Sequence, residues 1–209
     1  MASGSGRLRR VTPGRLPLLA RCSAPLAVLL VTALTAWSLA AAPNGYYPSK
    51  AGLSWTYSSG ETQQLSGPRT VDGHQVMVLT HFFNGVPVSE DYLQFTDQGV
   101  KSLGTAAGGK ITRYDPPLSI YPAGPLRPGM QWQSTTKLPG FDITLSAQVL
   151  GIRGVKTEAG RFNALQIRQQ TVTSNGAHTV MDLFFVPGVG VVRFVTQDGT
   201  EIDLIEKNF

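Results

Sequence analysis

Five dipeptides, Asp72-Gly73, Asn84-Gly85, Gln98-Gly99, Asn175-Gly176 and Asp198-Gly199, break the apolar stretches of this chain at short intervals. Each is a hairpin signal, because its glycine tolerates the positive φ that a tight reversal between strands requires. The stretches between them have strand character. In 141–149, Phe141, Ile143, Leu145, Ala147 and Val149 fall on one face, with Asp142, Thr144, Ser146 and Gln148 on the other. A period of two marks a strand with one buried and one wet side. Leu165 and Ile167 repeat it, as do Ile202 and Leu204. Other stretches are apolar on both faces: 76–83, 180–186 and 189–195. A strand buried on both sides needs a second layer or a filled concave face. No long stretch has a helical period with caps. The expectation is an all-β fold: a strongly curved antiparallel sheet of about ten strands, a half-barrel or near-closed barrel.

The first 40 residues stand apart from this pattern. Arg7, Arg9, Arg10, Arg15 and Arg21 precede an apolar run from Ala24 to Ala42, which ends in Ser38-Leu39-Ala40. A basic region, an apolar region and a small-x-small exit make a secretory signal, with cleavage expected after Ala40. The alternative is an uncleaved anchor, since the run approaches the roughly 20 residues that span a bilayer. Cys22 precedes the apolar run, so it is not a lipid-modified mature N-terminus and leaves with the signal. The expected location is extracytoplasmic, periplasmic or secreted. The only membrane contact foreseen is through a retained signal.

Losing five arginines leaves 13 basic residues against 13 acidic ones. The basic character of the whole chain therefore belongs to the signal, and nucleic acid is not an expected partner. Without Cys22 there is no disulfide, thiolate metal site or cysteine nucleophile, and the domain is held by its core. Residues 41–209 suffice for one such domain.

The domain repeats itself. Tyr47-Pro48 leads to Gly52-x-x-Trp55, and Tyr121-Pro122 leads to Gly129-x-x-Trp132, the Gly and Trp pairs sharing an offset of 77 residues. Thr70-x-x-Gly73 corresponds to Thr157-x-x-Gly160, and Gly99-Val100 to Gly190-Val191. Two similar β-meander halves, about 46–104 and 118–206, are expected. The segment 105–128, with Gly108-Gly109, Pro116-Pro117 and Pro125, reads as a long loop joining them.

Three motifs together resemble a group of bacterial exported domains related in form to the periplasmic lipoprotein carriers. They are Tyr47-Pro48 through Trp55-Thr56-Tyr57, the turn Ala159-Gly160-Arg161-Phe162, and the run from Phe185 to Val192. The resemblance implies a curved antiparallel sheet with an apolar concave surface, and it brings no catalytic residue. The sequence departs from the carriers in having no helix to plug that surface.

Motifs for catalysis are absent: there is no Gly-x-Ser-x-Gly, His-Glu-x-x-His or phosphate-cradling glycine loop. His74, His81 and His178 match no local ligand spacing, so neither metal nor cofactor is expected. His81, among Leu79, Phe82 and Phe83, reads as a partly buried, hydrogen-bonded side chain. Glu90 and Asp91 are neighbours that point to opposite faces and keep a hairpin edge soluble. The candidate ligand-binding residues are Trp55, Tyr57, Phe82, Phe83, Trp132 and Phe184, as the lining of an apolar face. If both tryptophans lie buried under turns, they are structural. The expected function is a non-enzymatic binding or carrier module of the cell envelope for lipid or another apolar ligand. A structural or interaction module that meets another envelope protein is the alternative, and an enzyme is a third.

Overall fold

A computed structural model describes residues 45–209, and the signal segment with its cleavage point lies outside them. The described residues form twelve antiparallel strands and no helix. The strands are β1 (Ser54–Tyr57), β2 (Glu61–Val71), β3 (His74–Phe83), β4 (Val86–Thr96), β5 (Gly99–Ala107) and β6 (Lys110–Pro122), then β7 (Gln131–Leu138), β8 (Phe141–Thr157), β9 (Gly160–Thr173), β10 (His178–Val186), β11 (Gly190–Thr196) and β12 (Glu201–Lys207). Each pairs with its neighbours in sequence, and β1 closes on β12 to make a complete barrel. Closure removes the free edges that an open half-barrel would expose.

The strand count exceeds the expected ten partly because the segment 105–128 is mostly strand. It ends β5, turns at Gly108-Gly109 and supplies all of β6, leaving 123–130 as the connection. Both turn glycines have positive φ, 55° and 76°, which makes the pair a tight hairpin reversal. Pro116-Pro117 fits a strand here because β6 is unpaired with β5 between Arg113 and Leu118, and meets β7 in register only at Asp115↔Lys137. Proline removes no ladder bond at such a place.

The repeated motifs occupy equivalent positions. The amide of Gly52 donates to the Leu65 carbonyl, and that of Leu65 to Leu53. Likewise Gly129 donates to Val149, and Val149 to Met130. β1–β6 and β7–β12 therefore begin with the same strand-pair clasp. The β2–β3 and β8–β9 turns, and the glycines that open β5 and β11, correspond in the same order.

The strands that are apolar on both faces obtain their second layer from two hairpins that fold back over the outside. The β2–β3 ladder slips between Ser66 and Arg69, around Gly67-Pro68, and the β8–β9 ladder slips between Val149 and Gly151. A bulge bends its strand and increases its twist. Beyond the first bend, Arg69 reaches Glu90 at 2.6 Å and Asp72 pairs with Arg113 of β6. Under this flap Val76, Val78 and Tyr92 are buried together, with Val71, Leu103 and Ala106. Beyond the second bend, the Ala159 amide donates to the Leu204 carbonyl of β12. There Val155 and Ala164 pack with Val192, and Phe162 and Phe184 join them.

Inside the barrel, Leu145, Ala147 and Val149 of β8 meet Leu165 and Ile167 of β9, Leu183 and Phe185 of β10, and Val100 and Leu118 of the first half. Tyr46 and Tyr47, which precede β1, are buried in this core. They close one end of the barrel. The Tyr46 hydroxyl accepts from the Leu126 amide, the Tyr47 hydroxyl donates to the Pro122 carbonyl, and Gly188 donates to the Tyr46 carbonyl. Tyr47 stacks on Tyr121 at 5.4 Å between ring centroids and leans on Phe185 at 5.7 Å. Two tyrosines thus take the place of a plugging helix.

Candidate functional site

A barrel of twelve strands is wider than its own side chains fill. The plug occupies one end, and a cavity of about 440 Å³ remains above it. That volume lies within the range of small-molecule sites. Its floor is aromatic: Tyr47, Trp55, Tyr57, Tyr121, Phe185 and Phe194. Leu65, Leu79, Leu93, Leu118, Ile143 and Leu145 continue it up the walls.

The Tyr47, Trp55 and Tyr57 donors of the floor are bonded to backbone carbonyls. Trp55 Nε1 donates to the Val189 carbonyl at 2.7 Å, and the Tyr57 hydroxyl to the Val191 carbonyl at 2.9 Å. Burial pushes the Tyr47, Tyr57 and Tyr121 phenols far above their ordinary range, so all three remain protonated. The hydrogen bonds of Tyr47 and Tyr57 run to backbone carbonyls, leaving ring surface toward the cavity, and the Tyr121 hydroxyl makes none among the described residues. An apolar occupant would find the Tyr47, Trp55 and Tyr57 donors already paired.

The opposite end is polar. Gln63 and Asp91 line the cavity on the β2–β4 wall, and Gln169 and Thr171 line it on β9. Beside them His81 sits between two carboxylates. Nδ1 donates to Glu61 Oε1 at 2.7 Å and Nε2 to Asp91 Oδ2 at 3.0 Å. Gln63 Nε2 donates to the same Glu61 oxygen at 2.9 Å. Burial opposes charging the imidazole, but its hydrogen bonds to Asp91 and Glu61, with their negative charge, outweigh that and push its pKa up to about 9. The bond from His81 also holds the Glu61 carboxyl below its ordinary range, against some burial. Only a fifth of the His81 side chain is exposed, whereas 36% of Asp91 is, so the charged end faces the barrel mouth.

This cluster is built for charge pairing. Both imidazole nitrogens are occupied by carboxylates, so His81 has no free nitrogen with which to activate a hydroxyl. Among the described residues no group of side chains is arranged to hold a metal ion.

The candidate residues divide by face. Trp55 and Tyr57 line the cavity. Trp132 packs against the inner core with its indole donating to the Ile120 carbonyl at 3.0 Å, and it does not reach the cavity. The two tryptophans occupy matching places at the starts of β1 and β7, each bonded to a backbone carbonyl across a seam between the halves. Both therefore have a structural task, and Trp55 has the cavity wall in addition. Phe184 faces the cluster under the β8–β9 flap, while its neighbour Phe185 faces inward. Phe82 and Phe83 lie at the β3–β4 hairpin, Phe83 at the exposed tip, and neither lines the cavity. Of Glu90 and Asp91, Glu90 does lie outside, paired with Arg69, but Asp91 faces the cavity instead of serving a soluble edge. Sequence reasoning missed Gln63, Gln169 and Thr171 because polar residues on a strand read as its wet face. It missed Tyr47 because one residue before a proline carries no period.

No family model matches this sequence, and no curated protein matches it. Among solved structures, a candidate lipoprotein from Parabacteroides distasonis is 12% identical, with a TM-score of 0.44, over 78% of this chain and 98% of that one. A candidate exported protein with a YmcC-like fold from Bacteroides fragilis is 11% identical, with a TM-score of 0.45, over 78% of this chain and 99% of that one. At this level of similarity neither carries an argument about what this chain does.

Proposed function

We propose that the chain is a non-enzymatic, extracytoplasmic binding module that carries one apolar molecule, lipid-derived or similar, inside its barrel. The observation that supports this most is the cavity: a space of about 440 Å³ with an aromatic floor, in which Tyr47, Trp55 and Tyr57 have their donors bonded into backbone. Such a surface gains by covering itself with hydrocarbon. The size suits a compact or single-chain molecule more than a two-chain lipid. The engagement of both His81 nitrogens by carboxylates favours binding over catalysis. The N-terminal order of arginines, apolar run and small residues supports export. The test is native mass spectrometry, with solvent extraction, of the protein purified from its own host. A stoichiometric apolar molecule is expected. A ligand-free chain that also fails to take up an apolar fluorescent probe would overturn the reading.

One feature favours the interaction module as a second reading. The β3–β4 hairpin exposes Phe83, Val86 and Val88 in succession, Val86 at 60%. Apolar side chains grouped at a tip mark a contact surface. Light scattering on the purified chain decides between them: a monomer with bound ligand supports the carrier, and an empty oligomer supports the interaction module.

A further inference from the structure

The charge around the cavity narrows what it holds. Among the described residues Asp91 is the one charged side chain in the cavity wall, and no lysine or arginine lines it. Its Oδ2 accepts from His81, while its Oδ1 has no hydrogen-bond partner among the described residues. The Gln169 and Thr171 side chains on the facing wall also make no hydrogen bond among the described residues. His81 cannot serve an anion. It is not in the wall, and both of its N–H groups are spent on Glu61 and Asp91. One imidazolium beside two carboxylates leaves an excess negative charge at the mouth.

An anionic head such as a carboxylate or phosphate would find carboxylate oxygens there and no free cationic partner, at a cost that rises with desolvation. An ammonium would find the Asp91 oxygen and the amide and hydroxyl oxygens of Gln63, Gln169 and Thr171. Resting on the carrier reading, we propose that the occupant is a cationic amphiphile, an amine whose ammonium group sits by Asp91 and whose hydrocarbon body lies on the aromatic floor. Asp91 supplies the charge partner, Gln63, Gln169 and Thr171 supply acceptors, and Trp55 and Tyr57 supply apolar contact.

The experiment compares three probes of one chain length, dodecylamine, dodecanol and dodecanoate, below their aggregation concentrations at pH 7. Binding is read by calorimetry and by tryptophan fluorescence on the protein freed of endogenous ligand. Dodecylamine is expected to bind at least about tenfold more tightly than dodecanoate, as one charge-assisted contact implies. Asp91→Asn should remove most of that advantage, and a far-ultraviolet circular dichroism spectrum matching wild type reports that the variant is folded. Gln169→Lys, which puts a cation on the facing wall, should weaken dodecylamine and strengthen dodecanoate. Dodecanoate binding as tightly as the amine, or amine binding indifferent to both substitutions, would overturn the cationic ligand while dodecanol binding keeps the carrier reading. Failure of all three probes would overturn both.

Discussion

His81 shows how one side chain couples the polar end of the cavity to stability. Its imidazole has a pKa of about 9 in the barrel against 6.5 when free. A basic group whose pKa is raised by folding stabilises the fold fully below the free value, and that contribution disappears as pH rises through the folded value. The melting temperature should therefore fall between pH 6.5 and 9, and His81→Gln should flatten that slope. The Glu61 carboxyl, held low by the same contact, acts in the opposite sense: its contribution is present above its ordinary pKa of 4.5 and is lost as pH falls below it. Thermal melts of wild type and variant across pH 4 to 10 check both arms. Gly99 is a second sensitive residue. It opens β5 at φ 113°, and a Cβ there would lie 2.2 Å from the Tyr121 carbonyl oxygen. Gly99→Ala should cost more than about 1 kcal/mol from backbone strain alone, measured by denaturant unfolding.

The segment before β1 and the two flaps do work that a bare strand ladder would not. Tyr47 closes the barrel end through ring contacts and one hydrogen bond to Pro122. Tyr47→Phe should cost about 1 kcal/mol for the lost bond. Tyr47→Ala should cost about 3–5 kcal/mol and deepen the cavity from below. Urea unfolding separates the two, and a longer-chain probe gaining affinity in Tyr47→Ala would register the deeper site. The flaps explain why 76–83 and 180–186 could be apolar on both faces: one face looks into the barrel, and the other is covered where β2–β3 or β8–β9 bends back at its bulge. That the second layer would come from the same sheet was not legible, because the bend set by a bulge at Gly67-Pro68 or Gly151 depends on the strand opposite it.

At the scale of the molecule, two similar six-strand halves close on each other, and their seams differ. β1 meets β12 through Trp55, Thr56 and Tyr57, whereas β6 meets β7 in register at a single pair, Asp115↔Lys137. β8 and β9 are paired along nearly their full lengths. Amides of β7 that face β6 should exchange with solvent well before those of β8 and β9, since local opening follows the weakest ladder. Hydrogen exchange read by mass spectrometry checks this, and equal protection at both places would count against a weak seam. On the carrier reading, ligand in the cavity should slow exchange on both walls, because only the closed barrel forms the site.

The sequence by itself determined the antiparallel all-β class, the positions of most turns and the repeated plan. Each depends on local chemistry: alternation along a strand, glycine at positive φ, and short motifs recurring in order. Tertiary structure alone decided that the sheet closes with β1 on β12, that Tyr46 and Tyr47 fill one end, and which side chains face the cavity. Closure depends on strand length and curvature summed over the whole sheet. Which face of a strand is inside depends on the bulges that shift it, so Phe185 faces inward where Phe184 was expected. An aspartate beside a glutamate reads as solvated until the barrel wraps around it. Asp91 became a cavity residue because β2, β3 and β4 bring Glu61 and His81 to its side, and no spacing along the chain records that meeting.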